Sequence, residues 1–312
     1  MVTDQLPKVS ICIPAYNQTV YLNILLRSIA SQTFTGYEII LSDDSSTEDV
    51  KNLVDTFSFG PKLKYYRNRP PLGSPSNWNA AIQKATGKYV KIMHHDDAFT
   101  HDTSLAEMVN CIESSNYDYV FSNTTIEIVT QPGQNRIHTI QKLNELIKKP
   151  YLLFFGNSIG SPSTLLHKRE QFATLHYDPS FIWLVDIEYY TRLFAASSNG
   201  GLVTEPHILT HGSAEHQLTS KIVTDFDLQV KEQVLLYNNL AHKAPAIYRF
   251  FIQVCLVRLF FKAGTENKEL TKAFAPVPSL VKTYFALVKY KPLYFAYHLF
   301  IRLADIIRKV LF

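Results

Sequence analysis

The sequence predicts an α/β fold, a mostly parallel sheet flanked by helices, with a C-terminal helical appendage. Three observations carry that prediction. Short apolar runs alternate with amphipathic stretches of about 10–15 residues, the pattern of right-handed βαβ units. Polar and acidic residues follow the apolar runs, where open α/β sheets bind ligands. After Ile222 the pattern is helical only, broken by Pro245, Gly264, Pro276, Pro278 and Pro292. A chain of 312 residues with 46% hydrophobic and 19% charged residues has room for one enlarged α/β domain or two, and is not disordered, collagen-like or a disulfide mini-protein.

Lys8 to Ile13 is a β-branched apolar run ending at Pro14, which suits a buried parallel strand. Tyr21 to Ala30 places Leu22, Leu25, Leu26 and Ile29 at helical spacing. Glu38 to Leu41 reads as the second strand, Thr47 to Phe57 as a helix with a Ser/Thr/Glu start, and Leu63 to Tyr66 as the third strand. A helix over Ser74 to Ala85 stops at Gly87, and Tyr89 to Met93 is the fourth strand, with Lys91 read as a strand-edge charge, running into His94-His95-Asp96-Asp97. Thr103 to Ser114 is helical and Tyr119 to Ser122 extended, whereas Gln131 to Arg136 reads as a turn-rich insertion and Ser158 to Pro162 as a loop. The helices expected beyond are Val223 to Leu240, Ala246 to Lys262, Leu280 to Tyr290 and Leu293 to Leu311.

The net charge of +4 conceals an uneven distribution: from Ala241 to Phe312 twelve Lys or Arg face three acids, an excess of +9, so the first 240 residues sum to −5. Cys12, Cys111 and Cys255 are odd in number and far apart, which argues against a disulfide framework and for a reducing compartment. Met1 to Lys8 carries Asp4 and Pro7 without an apolar stretch, so no secretory leader is expected. The richest apolar stretch, Ala246 to Phe261, is interrupted by Arg249, Gln253 and Arg258, so no membrane span is expected either. These features point to the cytoplasm.

Neither G-x-G-x-x-G nor G-x-x-x-x-G-K-[ST] occurs, so backbone cradling of phosphates is not the strategy. Asp43-Asp44 and Asp96-Asp97 follow two strands and suggest another, a hard divalent cation bridging carboxylate and diphosphate. For Asp43-Asp44-Ser45 an N-cap of the next helix is an equal alternative.

Val9 to Asn17, Tyr21-Leu22 through Ser28-Ile29, Gln32-Thr33-Phe34 and Glu38 to Thr47 resemble the first two strands and loops of the family 2 glycosyltransferases, which have the GT-A fold. Asn77-Trp78-Asn79, Ala85 to Val90 and Asp96-Asp97 extend the resemblance, which covers roughly residues 8–220. It implies a donor edge formed by Pro14, Tyr16, Asn17, Asp43, Asp44 and Asn79, with Pro14, Tyr16 and Asn17 near the base and Asp44 on uracil or ribose. It implies Mg²⁺ or Mn²⁺ held by Asp96 and Asp97, where His94 takes the place of the family's first acid and His95 follows it. The segment His211 to Thr219 resembles the loop that closes over the diphosphate, and it offers His216 as a third ligand with His211 as its alternative. Trp183 to Leu193 resembles the segment bearing the general base, which implies Asp186 in that role and Glu188 behind it. The residue-level alternatives are an N-cap for Asp186 and a first-turn acid for Glu188. A zinc site from His94, His95, Asp97 and His101 is disfavoured, because tandem histidines cannot easily converge from a strand.

The expectation is a GT-A catalytic domain over residues 1–220 and a helical, basic region over 221–312. The enzyme would be a metal-dependent, inverting glycosyltransferase moving a sugar from a UDP- or TDP-type donor to a hydroxyl of a glycan or lipid-linked glycan. A sugar-phosphate nucleotidyltransferase needs a Gly-rich basic loop that Pro14 to Thr19 lacks, and a non-catalytic nucleotide-sugar or glycan scaffold would bind without turnover. The basic, aromatic tail suits an anionic membrane surface at the inner face of the membrane, while packing or homo-oligomer contact also explains its apolar faces. No RNA-binding motif accompanies it, and nucleic acid is not an expected partner.

Overall fold

The computed structural model describes residues 6–128, 131–136, 138–170, 174–212, 224–263 and 278–311. The chain divides into two compact units, Met1–Lys148 with Ser158–Ala214, and Lys149–Asn157 with Glu215–Phe312. Among the described residues of the first unit, nine strands form one sheet: β1 (Val9–Ala15), β2 (Tyr37–Asp43), β3 (Leu63–Arg67), β4 (Tyr89–Ile92), β5 (Asp97–Phe99), β6 (Tyr119–Ile128), β7 (Gln131–Arg136), β8 (Leu165–Lys168) and β9 (Gly200–Gly212). Their order is β3-β2-β1-β4-β8-β6-β9-β5, with β7 paired to β6.

The first half of this sheet is parallel, β3-β2-β1-β4. In the second half β8 runs antiparallel to both β4 and β6, β9 lies parallel to β6, and β5 returns antiparallel on β9. Every residue of β1 is buried, which is why the strand reads as an apolar run without alternation. Val9, Ile11 and Ile13 meet Leu22, Leu25, Leu26 and Ile29 of α1 (Val20–Ala30) and Met108, Val109 and Ile112 of α4 (Ser104–Ser114) in one core. Between them in sequence lie α2 (Asp49–Asp55) and α3 (Ser76–Gln83); α5 (Ile140–Lys148) and α6 (Val185–Ala196) follow.

At the amino ends of the parallel strands a buried acid ties the sheet together. Glu38 Oε1 accepts from Ser10 Oγ (2.6 Å), Thr86 N (2.8 Å) and Thr86 Oγ1 (2.7 Å), and Oε2 accepts from Lys64 Nζ (2.7 Å). Burial works against the charge, but bonds from Lys64, Ser10 and Thr86 overcome it and hold the carboxyl down at about 2. Gly87 completes the knot: its N–H donates to Ser10 Oγ, and a Cβ there would lie 2.8 Å from Ser10 N. Only glycine lets the turn approach β1 so closely.

Two expectations are corrected. Gln131 to Arg136, read as a turn-rich insertion, is strand β7, antiparallel to β6. Ladder pairing with an existing strand overrides the weak β-propensity of Gln, Pro, Gly and Asn. Lys91, which a sequence reading leaves as an edge charge, lies in a central strand with no exposure and donates to Ser163 O; burial pushes its ammonium down to about 7.

The second unit contains α7 (Phe226–Leu240), α8 (Ala246–Ala263), α9 (Ser279–Leu287) and α10 (Lys291–Leu311), with the short 3₁₀ turn Pro150–Phe155. Phe251, Ile252, Leu256 and Phe260 of α8 are buried, as befits a helix apolar on several faces. Among the described residues no helix is long and apolar enough to cross a membrane.

Candidate active site

The carboxyl ends of β1 and β2 place the predicted donor residues together. Asn17 adopts a left-handed backbone (φ 49°), which Asn tolerates. Its N–H donates to Ser45 Oγ (2.8 Å) and its Oδ1 accepts from Ser46 N (3.1 Å), so the loop after β1 is stapled to the loop after β2. Tyr16 beside it is exposed, free to stack on a planar ligand. Pro14 O is in contact with His95 Nδ1 at 3.3 Å, which joins this loop to the one after β4.

Asp43 and Asp44 are both buried and neither caps α2, whose N-cap position is Glu48. Asp43 accepts from Ser45 N and from the Tyr65 hydroxyl. Asp44 Oδ1 accepts from Asn68 Nδ2 (2.8 Å) and Leu72 N (3.1 Å), and Oδ2 from Gly73 N (2.8 Å). Gly73 has φ 72°, a conformation that favours glycine and turns its N–H onto the carboxylate. Asp44 thus shapes the 68–73 loop beside the donor edge and keeps one lone pair of Oδ2 for a ligand. Asn79 is differently engaged: Nδ2 donates to Tyr177 O (2.8 Å) and Oδ1 accepts from Tyr177 N (3.0 Å), so its amide pins the chain ahead of α6.

Asp96 and Asp97 lie where β4 gives way to β5. Asp96 is half-buried; Asp97 is buried and accepts from Ser161 Oγ (3.0 Å). Burial first, then the Asp96 charge, push the Asp97 carboxyl up to about 6, against the pull of nearby hydroxyls such as Ser163. Two adjacent carboxylates, the inner one bonded to a hydroxyl, are groups that could hold a hard divalent cation. Among the described residues no three His, Cys, Asp or Glu side chains converge on a metal position.

The histidines separate into different jobs. His94 tilts against Trp78 (centroids 4.5 Å apart), its backbone N–H donates to Ser163 Oγ (2.9 Å), and burial lowers the pKa of its imidazole. His95 turns towards Pro14, and His101 lies edge-on to His207 at 6.5 Å. The zinc set therefore does not assemble. His211 Nδ1 meets Asp96 O at 2.8 Å, so it donates there and anchors the Asp96 backbone. His216 lies outside the described residues.

Asp186 and Glu188 open α6, behind the N-cap Leu184, so Asp186 is not the cap. Glu188 is buried and paired bidentately with Arg192 (Nε and Nη2, 2.6 Å each), so both its oxygens are engaged in an ion pair within α6. Asp186 is half-buried. The phenol of Tyr190 is raised by burial, and the charges of both Asp186 and Asp97 add to the shift, so the two carboxylates stand within electrostatic reach of one side chain. An aromatic row continues from His94 through Trp78 to Tyr177 (5.2 Å) and Tyr189 (4.1 Å, stacked). Ser161 and Asn68, which bond Asp97 and Asp44, are left unsignalled by the sequence, since each sits in a loop without a motif; Tyr190 lies in the segment that resembles the family's, but its own residue type gives no signal.

A family model described as glycosyl transferase family 2 matches residues 10–191. Abequosyltransferase RfbV of Salmonella typhimurium is 27% identical over 270 residues, 80% of each chain. The GalNAc(5)-diNAcBac-PP-undecaprenol beta-1,3-glucosyltransferase of Campylobacter jejuni is 30% identical over 171 residues, 53% of this chain and 55% of that protein. The fold is shared with the crystal structure of S. aureus TarS 1-349 in complex with UDP-GlcNAc at a TM-score of 0.65 and 18% identity, over 96% of this chain and 88% of that one. With more than half its length matched by the family model, and the α/β architecture of solved GT-A enzymes around its acidic edge, the chain belongs to glycosyl transferase family 2.

Proposed function

We propose that this chain transfers a sugar from a UDP- or TDP-type nucleotide-diphosphate donor to a hydroxyl of a lipid-linked glycan or polysaccharide, by a single inverting displacement. The names of the relatives, one acting on an undecaprenol-linked glycan, support that acceptor class. The observation that supports the mechanism is that, of the two acids opening α6, Glu188 is tied to Arg192 through both carboxylate oxygens while Asp186 is half-buried beside it.

The donor's nucleoside meets Tyr16, Asn17 and Asp44, and Asp44 accepts a hydrogen bond from the base or ribose. Asp96 and Asp97 would hold a metal, and Mg²⁺ or Mn²⁺ there would supply Lewis-acid neutralisation of the leaving diphosphate. Asp186 takes the proton of the acceptor hydroxyl on the face of the sugar opposite the diphosphate, while that oxygen attacks the anomeric carbon. Glu188 and Arg192 keep α6 in place and stay out of the proton transfer. Asn79 sets the distance between α3 and the base by gripping Tyr177.

The test is a panel of nucleotide sugars assayed for transfer and slow hydrolysis by the wild type and by Asp186→Asn. The variant is expected to lose about 10²–10⁴-fold in turnover with donor binding retained. Undiminished turnover would remove Asp186 from the mechanism.

A further inference from the structure

We propose that α10 is a membrane-docking helix whose exposed face lies in the interface of an anionic lipid bilayer. The surface consists of Phe295, Leu299, Leu303, Ile306, Ile307 and Val310, all exposed, with Phe295 at 73% and Val310 at 81%. At 100° per residue these six occupy one arc of about 120°, while Tyr297, Ile301, Ala304 and Asp305 turn inward on the opposite side. A helix that has already buried one apolar stripe and carries a second one outward is built for two environments.

Charge identifies the second environment. Lys291, Arg302 and Lys309 run along one border of the apolar arc, and all three are exposed. The helix's single acid, Asp305, is 3% exposed and paired with Arg258 and Arg308 (Nε to Oδ1, 3.0 Å), with Lys309 Nζ at 3.8 Å. The outward face therefore shows apolar and cationic groups and no carboxylate. That complements a surface of acyl chains and lipid phosphates, where each Lys or Arg adds to the attraction. A second copy fits less well, because a two-fold contact would set this cationic border against itself with no acid to answer it. The excess of +9 over residues 241–312 extends the same field beyond the helix. Because α10 does not span, it lies in the plane of the interface.

The inference goes beyond the proposed reaction and does not depend on it. The test is co-sedimentation of the full chain with vesicles of phosphatidylcholine alone and of phosphatidylcholine and phosphatidylglycerol in equal parts, without donor or acceptor. Wild type is expected to sediment with the anionic vesicles, to be released by raised salt, and to stay in solution with the neutral ones. The variant L299Q/L303Q/I306Q/V310Q is expected to bind about 100-fold more weakly. The charge reversal K291E/R302E, at two exposed positions that do not pair with Asp305, is expected to lose about 30-fold. Circular dichroism checks that each variant is folded. Unchanged partitioning of the charge-reversal variant, or equal binding of wild type to neutral vesicles, would overturn the proposal. So would a wild-type dimer that the glutamine variant dissolves, in a chain that binds no vesicles.

Discussion

Glu38, at the amino end of β2, and Asp97, just past the carboxyl end of β4, are both nearly inaccessible, at 3% and 2% exposure, yet their surroundings drive them apart. Glu38 receives three bonds on one oxygen and a lysine on the other, and its carboxyl is held at about 2. Asp97 has hydroxyls for partners and a second carboxylate for a neighbour, and is pushed up to about 6. At one end of the sheet the chain has spent its donors on stability. At the other it sets two carboxylates side by side with hydroxyls as partners of the inner one, the arrangement on which the proposed cation site rests.

The largest expected effect separates the two acids by activity. Asp97→Asn should lower donor turnover by about three orders of magnitude, because on the proposed mechanism it removes half the charge that would hold the metal. In chelator it should melt no lower than wild type, since relieving a buried repulsion near neutral pH offsets the altered hydrogen bonds. A large loss of melting temperature together with activity would show Asp97 to be a structural acid like Glu38.

Glu38→Ala should do the reverse. It strands Ser10, Thr86 and Lys64 and should cost about 3 kcal/mol in urea unfolding, while turnover per folded molecule stays within about two-fold. Acid then sharpens the difference. Because the folded pKa of Glu38 lies below its unfolded value, its stabilisation is complete above about pH 4.5 and disappears as the pH falls towards 2. The stability gap between wild type and Glu38→Gln should therefore close over that window, by about 2 kcal/mol; a gap independent of pH would mean that the charge contributes nothing. Smallest, Gly87→Ala should cost about 1–2 kcal/mol, because its Cβ would press on Ser10 N at 2.8 Å, again with turnover preserved.

The parallel half of the sheet was legible because strands buried on both faces read as apolar runs and their helices carry the 3.6-residue period. The antiparallel half was not. β5 has three residues and β8 four, too short for any period, and β9 passes through Gly200, Gly201 and Pro206 with polar residues between. β6 continues to Ile128, well past the Tyr119 to Ser122 expected of it, since its later residues are Asn, Thr and Glu on a strand paired with β7 and β9. At the site, the acids after β2 and β4 could be found from their position behind apolar runs. Their partners could not, because Asn68, Ser161 and Tyr190 are brought in by loops and by α6 from distant parts of the chain. The engagement of Glu188 with Arg192 was present in the sequence as an i, i+4 spacing.

The long strand β9 carries a practical consequence. The family match ends at residue 191, but β9 begins at Gly200 and is the strand on which both β5 and β6 pair. A fragment cut at the end of the match would keep Asp96, Asp97 and Asp186 in its sequence while leaving two strand edges bare. Such edges recruit other chains, so the shortened protein should be lost to aggregation, and anyone trimming this enzyme for crystallisation or display needs to keep the chain through Gly212.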